Sequence, residues 1–124
     1  MMGYTLTMKA KGSFLHVIVT GENTPENLQQ YLAEVYKSCS EGGFSAVLIE
    51  ENLSGPSLPP VDVYKIITKA SSQTSPIVNK IAFVDVNPTH LPSIAVLGEA
   101  VGRDRGANVR VFRTIEEAES WLIA

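Results

Sequence analysis

The chain alternates between two hydrophobic periods, and that alternation limits its fold more than any other feature. "FLHVIVT" (14–20), "SAVLIE" (45–50), "KIAFVDV" (80–86) and "NVRVFR" (108–113) are apolar runs of strand length, and each is followed by a segment of helical length. Strands and helices that alternate in this way call for a parallel sheet covered by helices. One more strand comes first: "YTLTMKA" sets Tyr4, Leu6 and Met8 on one face against Thr5, Thr7 and Lys9 on the other, the pattern of a half-exposed edge. "KGS" suits the tight turn of an antiparallel hairpin between this edge and the next strand. The expected fold is α/β in the order β-β-α-β-α-β-α-β-α: a mainly parallel five-stranded sheet with an antiparallel N-terminal edge and four helices, in a single domain over 1–124.

The helices carry their own punctuation. In the first, Leu28, Tyr31, Leu32, Val35, Tyr36 and Cys39 line one face, Thr24 caps, Pro25 takes the first position, and Gly42 and Gly43 end it. The second is expected from Pro59 to Ala70, with Val63, Ile66, Ile67 and Ala70 inward and "KASSQTS" (69–75) as a polar connection. The third is expected from Leu91 to Arg103, with Gly106 as its stop. The fourth opens on "TIEE", where Thr114 and Glu117 have the spacing of a reciprocal capping box, and Ile115, Ala118, Trp121 and Leu122 form its inward stripe, with the Trp121 indole largely buried.

A chain of 124 residues suits one ordinary core. Ten Lys and Arg against thirteen Asp and Glu, with no long basic block, argue against nucleic acid as a partner. The single Cys39 falls on a buried helical stripe, so it reads as an inert thiol in a reducing, cytoplasmic compartment. "MMGYTLTMKAKG" lacks the apolar core of a secretion signal, and no run approaches the ~20 apolar residues needed to cross a bilayer.

The element order, together with "KIAFVD" and "VRVFRTIEEAESWL" (109–122), resembles the SpoIIAA-like group of STAS-type domains, in which a strand ending in Phe, an acidic turn and Glu-Ala-x-x-Trp-Leu recur; Glu117, Ala118, Trp121 and Leu122 fit that tail. The resemblance implies a superhelix of β-α turns and a non-catalytic regulatory module that binds a protein. In anti-sigma-factor antagonists of this fold, a serine of an Asp-Ser-Ser-Gly motif at the start of the second helix is phosphorylated, which breaks a partner interface. Here the local sequence is "SGPSLPPVD": Ser57, and after it Ser54, stand near that position, with Leu58 and two prolines where the motif has Gly. The plain structural alternative is that Ser57 caps the second helix.

Two functional readings follow. The first is a binding groove. The third helix, "LPSIAVLGEAV" (91–101), has apolar residues all round, more than the ~100° arc that a sheet-covering helix needs. The surplus, Val96 with whichever of Leu97 and Val101 faces away from the sheet, is expected to meet the loop 52–60, a second copy of the chain, an apolar acyl-type ligand or a membrane surface. Ser54, Ser57, Leu58, Asp62, Leu91, Val96 and Leu97 are the expected contact residues, for a protein partner, self-association or an apolar small molecule, with no cofactor and no metal. The second reading is a carboxylate-based metal or hydrolytic site at the carboxyl ends of the strands, from Glu50 or Glu51 with Asp85, and with Asn87 and His90 beside them. No Walker, dinucleotide or nucleophile-elbow motif supports catalysis. His16 is expected as a satisfied histidine of the sheet, and Arg103, Arg105 and Arg110 with Asp104 as a solvated salt-bridge cluster.

Overall fold

A computed structural model describes residues 3–73 and 77–124. Five strands, β1 (Tyr4–Lys11), β2 (Phe14–Glu22), β3 (Ala46–Ser54), β4 (Lys80–Asp85) and β5 (Val109–Val111), form one sheet in their chain order. β1 pairs with β2 antiparallel and the remaining pairs are parallel, so the expected fold class holds. The helices are α1 (Pro25–Gly42), α2 (Pro60–Gln73), α3 (Pro92–Asp104) and α4 (Ile115–Ile123). Among the described residues no helix is long and apolar enough to cross a membrane.

Because each new strand is added on the same side of the last, the three crossover helices all fall on one face of the sheet. There Tyr31, Leu32 and Val35 of α1, Val63 and Ile66 of α2, and Ile94 and Leu97 of α3 pack on Val17, Val19, Val47, Ile49, Leu53 and Ile81. α4 has the other face to itself, with Ala118 and Leu122 against Phe14, Ala46, Leu48, Ala82 and Val84. Alternation along β3 divides its side chains between these two cores, which is why the strand is apolar throughout. Cys39 is fully buried in the larger core, and burial pushes its thiol up to about 11.

Caps behave as the residues require, with two departures. Thr24 accepts from the Asn27 N–H, and Gly43 ends α1 at φ 73°, a left-handed conformation open to glycine. Thr114 accepts from the Glu117 N–H at 3.2 Å, but the Glu117 carboxylate bonds the Thr114 hydroxyl at 3.2 Å and not its backbone N–H, so the capping box is only half formed. α2 runs on to Gln73, past its expected end at Ala70, so "KASSQ" is helical; Thr74 and Ser75 lie outside the described residues.

Two surface expectations are also corrected. Trp121 is only half-buried: it packs on Phe112 at 5.6 Å between ring centres while Lys80 and Arg110 lie over its ring. The arginines form no ion pair with Asp104 among the described residues. Arg105 donates to the Tyr64 hydroxyl at 2.9 Å and lies over that ring, Arg103 reaches the Val109 carbonyl, and Arg110 lies over Phe112 and Trp121. A planar guanidinium gains more on an aromatic face than in a solvated pair with a carboxylate.

Candidate functional site

β3 does not end at Glu50. Parallel pairing with β2 carries it to Ser54, with Glu51 beside Val19 and Leu53 beside Gly21, so the first four residues of "ENLSGPSLPP" are strand and the connecting loop is short. Along this extension Glu51 and Leu53 are buried while Asn52 and Ser54 are exposed, a two-residue period that places a carboxylate among the apolar side chains facing the helices. Gly21 is required opposite: its φ is 137°, and a Cβ there would stand 2.0 Å from the Gly3 carbonyl oxygen.

In the sheet Glu51 is the register partner of Asp85, the last residue of β4. The chain then turns through Asn87, whose backbone N–H donates to Asp85 Oδ1 at 3.0 Å and whose Oδ1 accepts from the Thr89 N–H and hydroxyl. This turn brings His90 back over the strand end, and ligand atoms of Glu51, Asp85 and His90 come within 4.8 Å of one another. The second of the two sequence readings therefore has its residues together, except Glu50, which projects to the opposite face and bonds His16 Nε2 at 2.9 Å. His16 is buried as expected, but its Nδ1 has no partner among the described residues.

Hydrogen bonding engages both ring nitrogens of His90. Its Nδ1 lies 2.8 Å from Asp85 Oδ2 and its Nε2 lies 2.8 Å from the Gly55 carbonyl oxygen. A carbonyl and a carboxylate both accept, so this geometry suits the doubly protonated ring. The Asn87 side-chain nitrogen, which donates one hydrogen to the Leu53 carbonyl at 2.8 Å, also approaches Nε2, at 3.3 Å. Burial works against the charged ring, yet the Asp85 carboxylate and the Gly55 carbonyl outweigh it, and His90 titrates above the usual histidine value. With both nitrogens engaged, His90 would have to give up one of these bonds to take a metal ion or a proton from a substrate.

Glu51 is left as the unmatched charge. It is 4% exposed, and its hydrogen-bond donor among the described residues is the Tyr31 hydroxyl, from the inward face of α1. Burial pushes its carboxyl up to about 7; the Tyr31 bond and His90 pull it down, and Asp85 pushes it further up. Tyr31 itself is held well above the usual phenol range, first by burial and then by Glu51. Sequence reading places Tyr31 on a core stripe and assigns it nothing further. The signal was there in the combination of a tyrosine on that stripe and a glutamate in phase with Ile49 and Leu53.

These groups line one part of a cavity of about 110 Å³ enclosed by α1, α2, α3 and the sheet, whose remaining wall is mostly apolar, with Leu32, Ile49, Val63, Ile67, Phe83 and Ile94 beside the polar Asn23, Ser71 and Glu99. Of the residues expected to form the groove, Ser57, Leu58 and Leu91 line this cavity. Leu91 is also 59% exposed, so the cavity reaches the surface at the start of α3. Leu97 packs on the core and Val101 is buried, leaving Val96, 54% exposed, as the surplus apolar residue of α3. Asp62 lies in the first turn of α2, and Ser54 donates to the Gly21 carbonyl at 3.0 Å; neither lines the cavity.

Ser57 does not cap α2. Pro59 and Pro60 take up the approach to that helix, the Pro59 carbonyl accepting from the Asp62 and Val63 N–H groups, so Ser57 lies too early in the chain. Its hydroxyl instead accepts from the Leu91 N–H at 2.9 Å, at the N-cap of α3, where the capping residue supplies no side-chain bond of its own. With the His90 bond to Gly55, this ties the loop to α3 across the cavity mouth. Ser57→Ala is expected to lower stability by about 1 kcal/mol, measured by denaturant unfolding, with the hydrogen-exchange protection of the Leu91 amide lost.

No family model matches the chain, and no curated protein matches it. Among solved structures it is similar to an anti-sigma factor antagonist from Mycobacterium paratuberculosis, at 16% identity and a TM-score of 0.59, over 98% of this chain and 95% of that one. The protein thus has the STAS-like fold of anti-sigma factor antagonists.

Proposed function

We propose that this protein is a non-catalytic, regulatory binding module of STAS type whose occupant is a small apolar molecule, taken up through the loop after β3 and the start of α3. The observation that carries this reading is the cavity between α1, α2, α3 and the sheet, apolar over most of its wall and open beside Leu91. Such a concave site with a few convergent polar groups is how proteins hold small ligands. Self-association suits a flat apolar patch better than a cavity that reaches inward to Ile49 and Phe83 of the sheet. The likeness in fold to an anti-sigma factor antagonist supports a protein partner as the reader of the ligand-bound state. A metal or hydrolytic site is disfavoured by the double engagement of His90.

Hexanol is a suitable neutral probe, since an extended chain can enter through the opening beside Leu91. Saturating hexanol is expected to raise the melting midpoint by several degrees through mass action. Ala95→Leu, which enlarges a side chain on the cavity wall, should abolish that response. Absence of saturable binding to the native protein would overturn the reading.

A further inference from the structure

The polar end of the cavity specifies the head group of its occupant. Asp85 and His90 bond each other at 2.8 Å, and the remaining oxygen and nitrogen of that pair are taken up by the Asn87 N–H and the Gly55 carbonyl. What the cavity offers a newcomer is the Glu51 carboxylate, with Tyr31 bonding one oxygen and no described residue donating to the other. Its surroundings hold no further cation: α1 contributes Tyr31 and Tyr36, α2 contributes Val63, Ile67, Ala70 and Ser71, and β2 sets Val19 beside it. On α3 Glu99 lines the same cavity and adds negative charge, its carboxylate accepting from the Val111 N–H at 2.7 Å. Buried carboxylates are ordinarily paired with a cation or with several donors.

Resting on the reading of the cavity as a ligand site, we propose that the ligand is a small amphiphile with a hydrogen-bond-donating cationic head, a primary amine on a short apolar body, whose ammonium group bonds Glu51. The amine supplies the missing donors and balances the charge. A fatty-acid anion, the head group of the acyl-type ligand that the sequence suggests, would set a third carboxylate beside Glu51 and Asp85, where His90 is the one described side chain able to carry a positive charge. Ligand and protein charge thus exclude the acid on the same ground that they select the amine.

Hexylamine, hexanol and hexanoate share one apolar body and differ in the head. In calorimetric titrations of the native protein at pH 8, hexylamine is expected to bind at least tenfold more tightly than hexanol, and hexanoate more weakly than either. Lowering the pH to 5.5 should weaken hexylamine at least tenfold, because Glu51 is then protonated, while leaving hexanol nearly unchanged. Glu51→Gln should reduce hexylamine to near the affinity of hexanol and remove the part of its pH dependence that comes from Glu51, leaving only that from His90. Equal affinities for amine and alcohol in the native protein, or tighter binding of hexanoate, would overturn the head-group assignment while leaving the cavity reading intact. Failure of all three to bind would overturn both.

Discussion

Glu51→Gln is expected to stabilise the protein by about 3 kcal/mol at pH 8 and to leave it nearly unchanged at pH 4. The carboxyl of Glu51 is raised from 4.5 to about 7 in the folded protein, so the folded state binds this proton more tightly than the unfolded chain does. Stability from this group is therefore fully present below pH 4.5, falls as the pH rises towards 7, and stays low beyond it. His90 acts in the same direction: its folded value is raised above 6.5, so its contribution is present below that pH and is lost as the pH rises through the folded value. The native protein should thus be more stable at pH 5 than at pH 8. In the Gln variant the fall between pH 4.5 and 7 should disappear and the smaller histidine part remain, since the amide keeps the shape of the side chain and can still accept from Tyr31. Denaturant midpoints at half-unit pH intervals measure this. A variant less stable than the native protein at pH 8 would show that Glu51 is matched by a group other than Tyr31. A carboxylate that weakens the fold is what a binding residue held ready for an absent counter-ion should look like.

Leu48→Ala is expected to cost about 3–5 kcal/mol. Leu48 is fully buried at the centre of the sheet, in register with His16 on one side and Ala82 on the other, and it faces the smaller of the two cores. That core holds α4, a helix of nine residues, to the sheet through few side chains, among which Ala118 and Leu122 are buried and Ile115 and Trp121 only half so. The short residues around the site, Ala46, Ala82 and Ala118, cannot extend into the space that the leucine leaves, so most of the cavity persists. A domain with ordinary stability would lose a large part of it. Unfolding curves with unchanged slope and a midpoint reduced in proportion are the expected result; a cost below about 1 kcal/mol would mean that α4 is not held by this core.

Periodicity in the sequence was sufficient for the elements and their order, because burial on one face imposes a two-residue period on a strand and a three-to-four-residue period on a helix whatever surrounds them. It was sufficient also for Thr24, Gly43 and the Thr114 cap, whose hydrogen bonds lie within a few residues of chain. It misplaced the end of β3 because Glu51 interrupts an apolar run that Leu53 resumes, and a charged residue in phase with a core face reads as the end of a strand unless its partner is known. That partner, Tyr31, is twenty residues away in the chain, and only the packing of α1 on the sheet brings the two together. The same holds for the Ser57 hydroxyl on the Leu91 N–H and for the Gly55 carbonyl beside His90 Nε2. Sequence alone determined which faces of the strands and helices are apolar. The tertiary structure decided which inward-facing polar groups meet, and left Glu51 short of a counter-charge, because hydrogen bonds and charge balance depend on distances that only the packing of helices on the sheet sets.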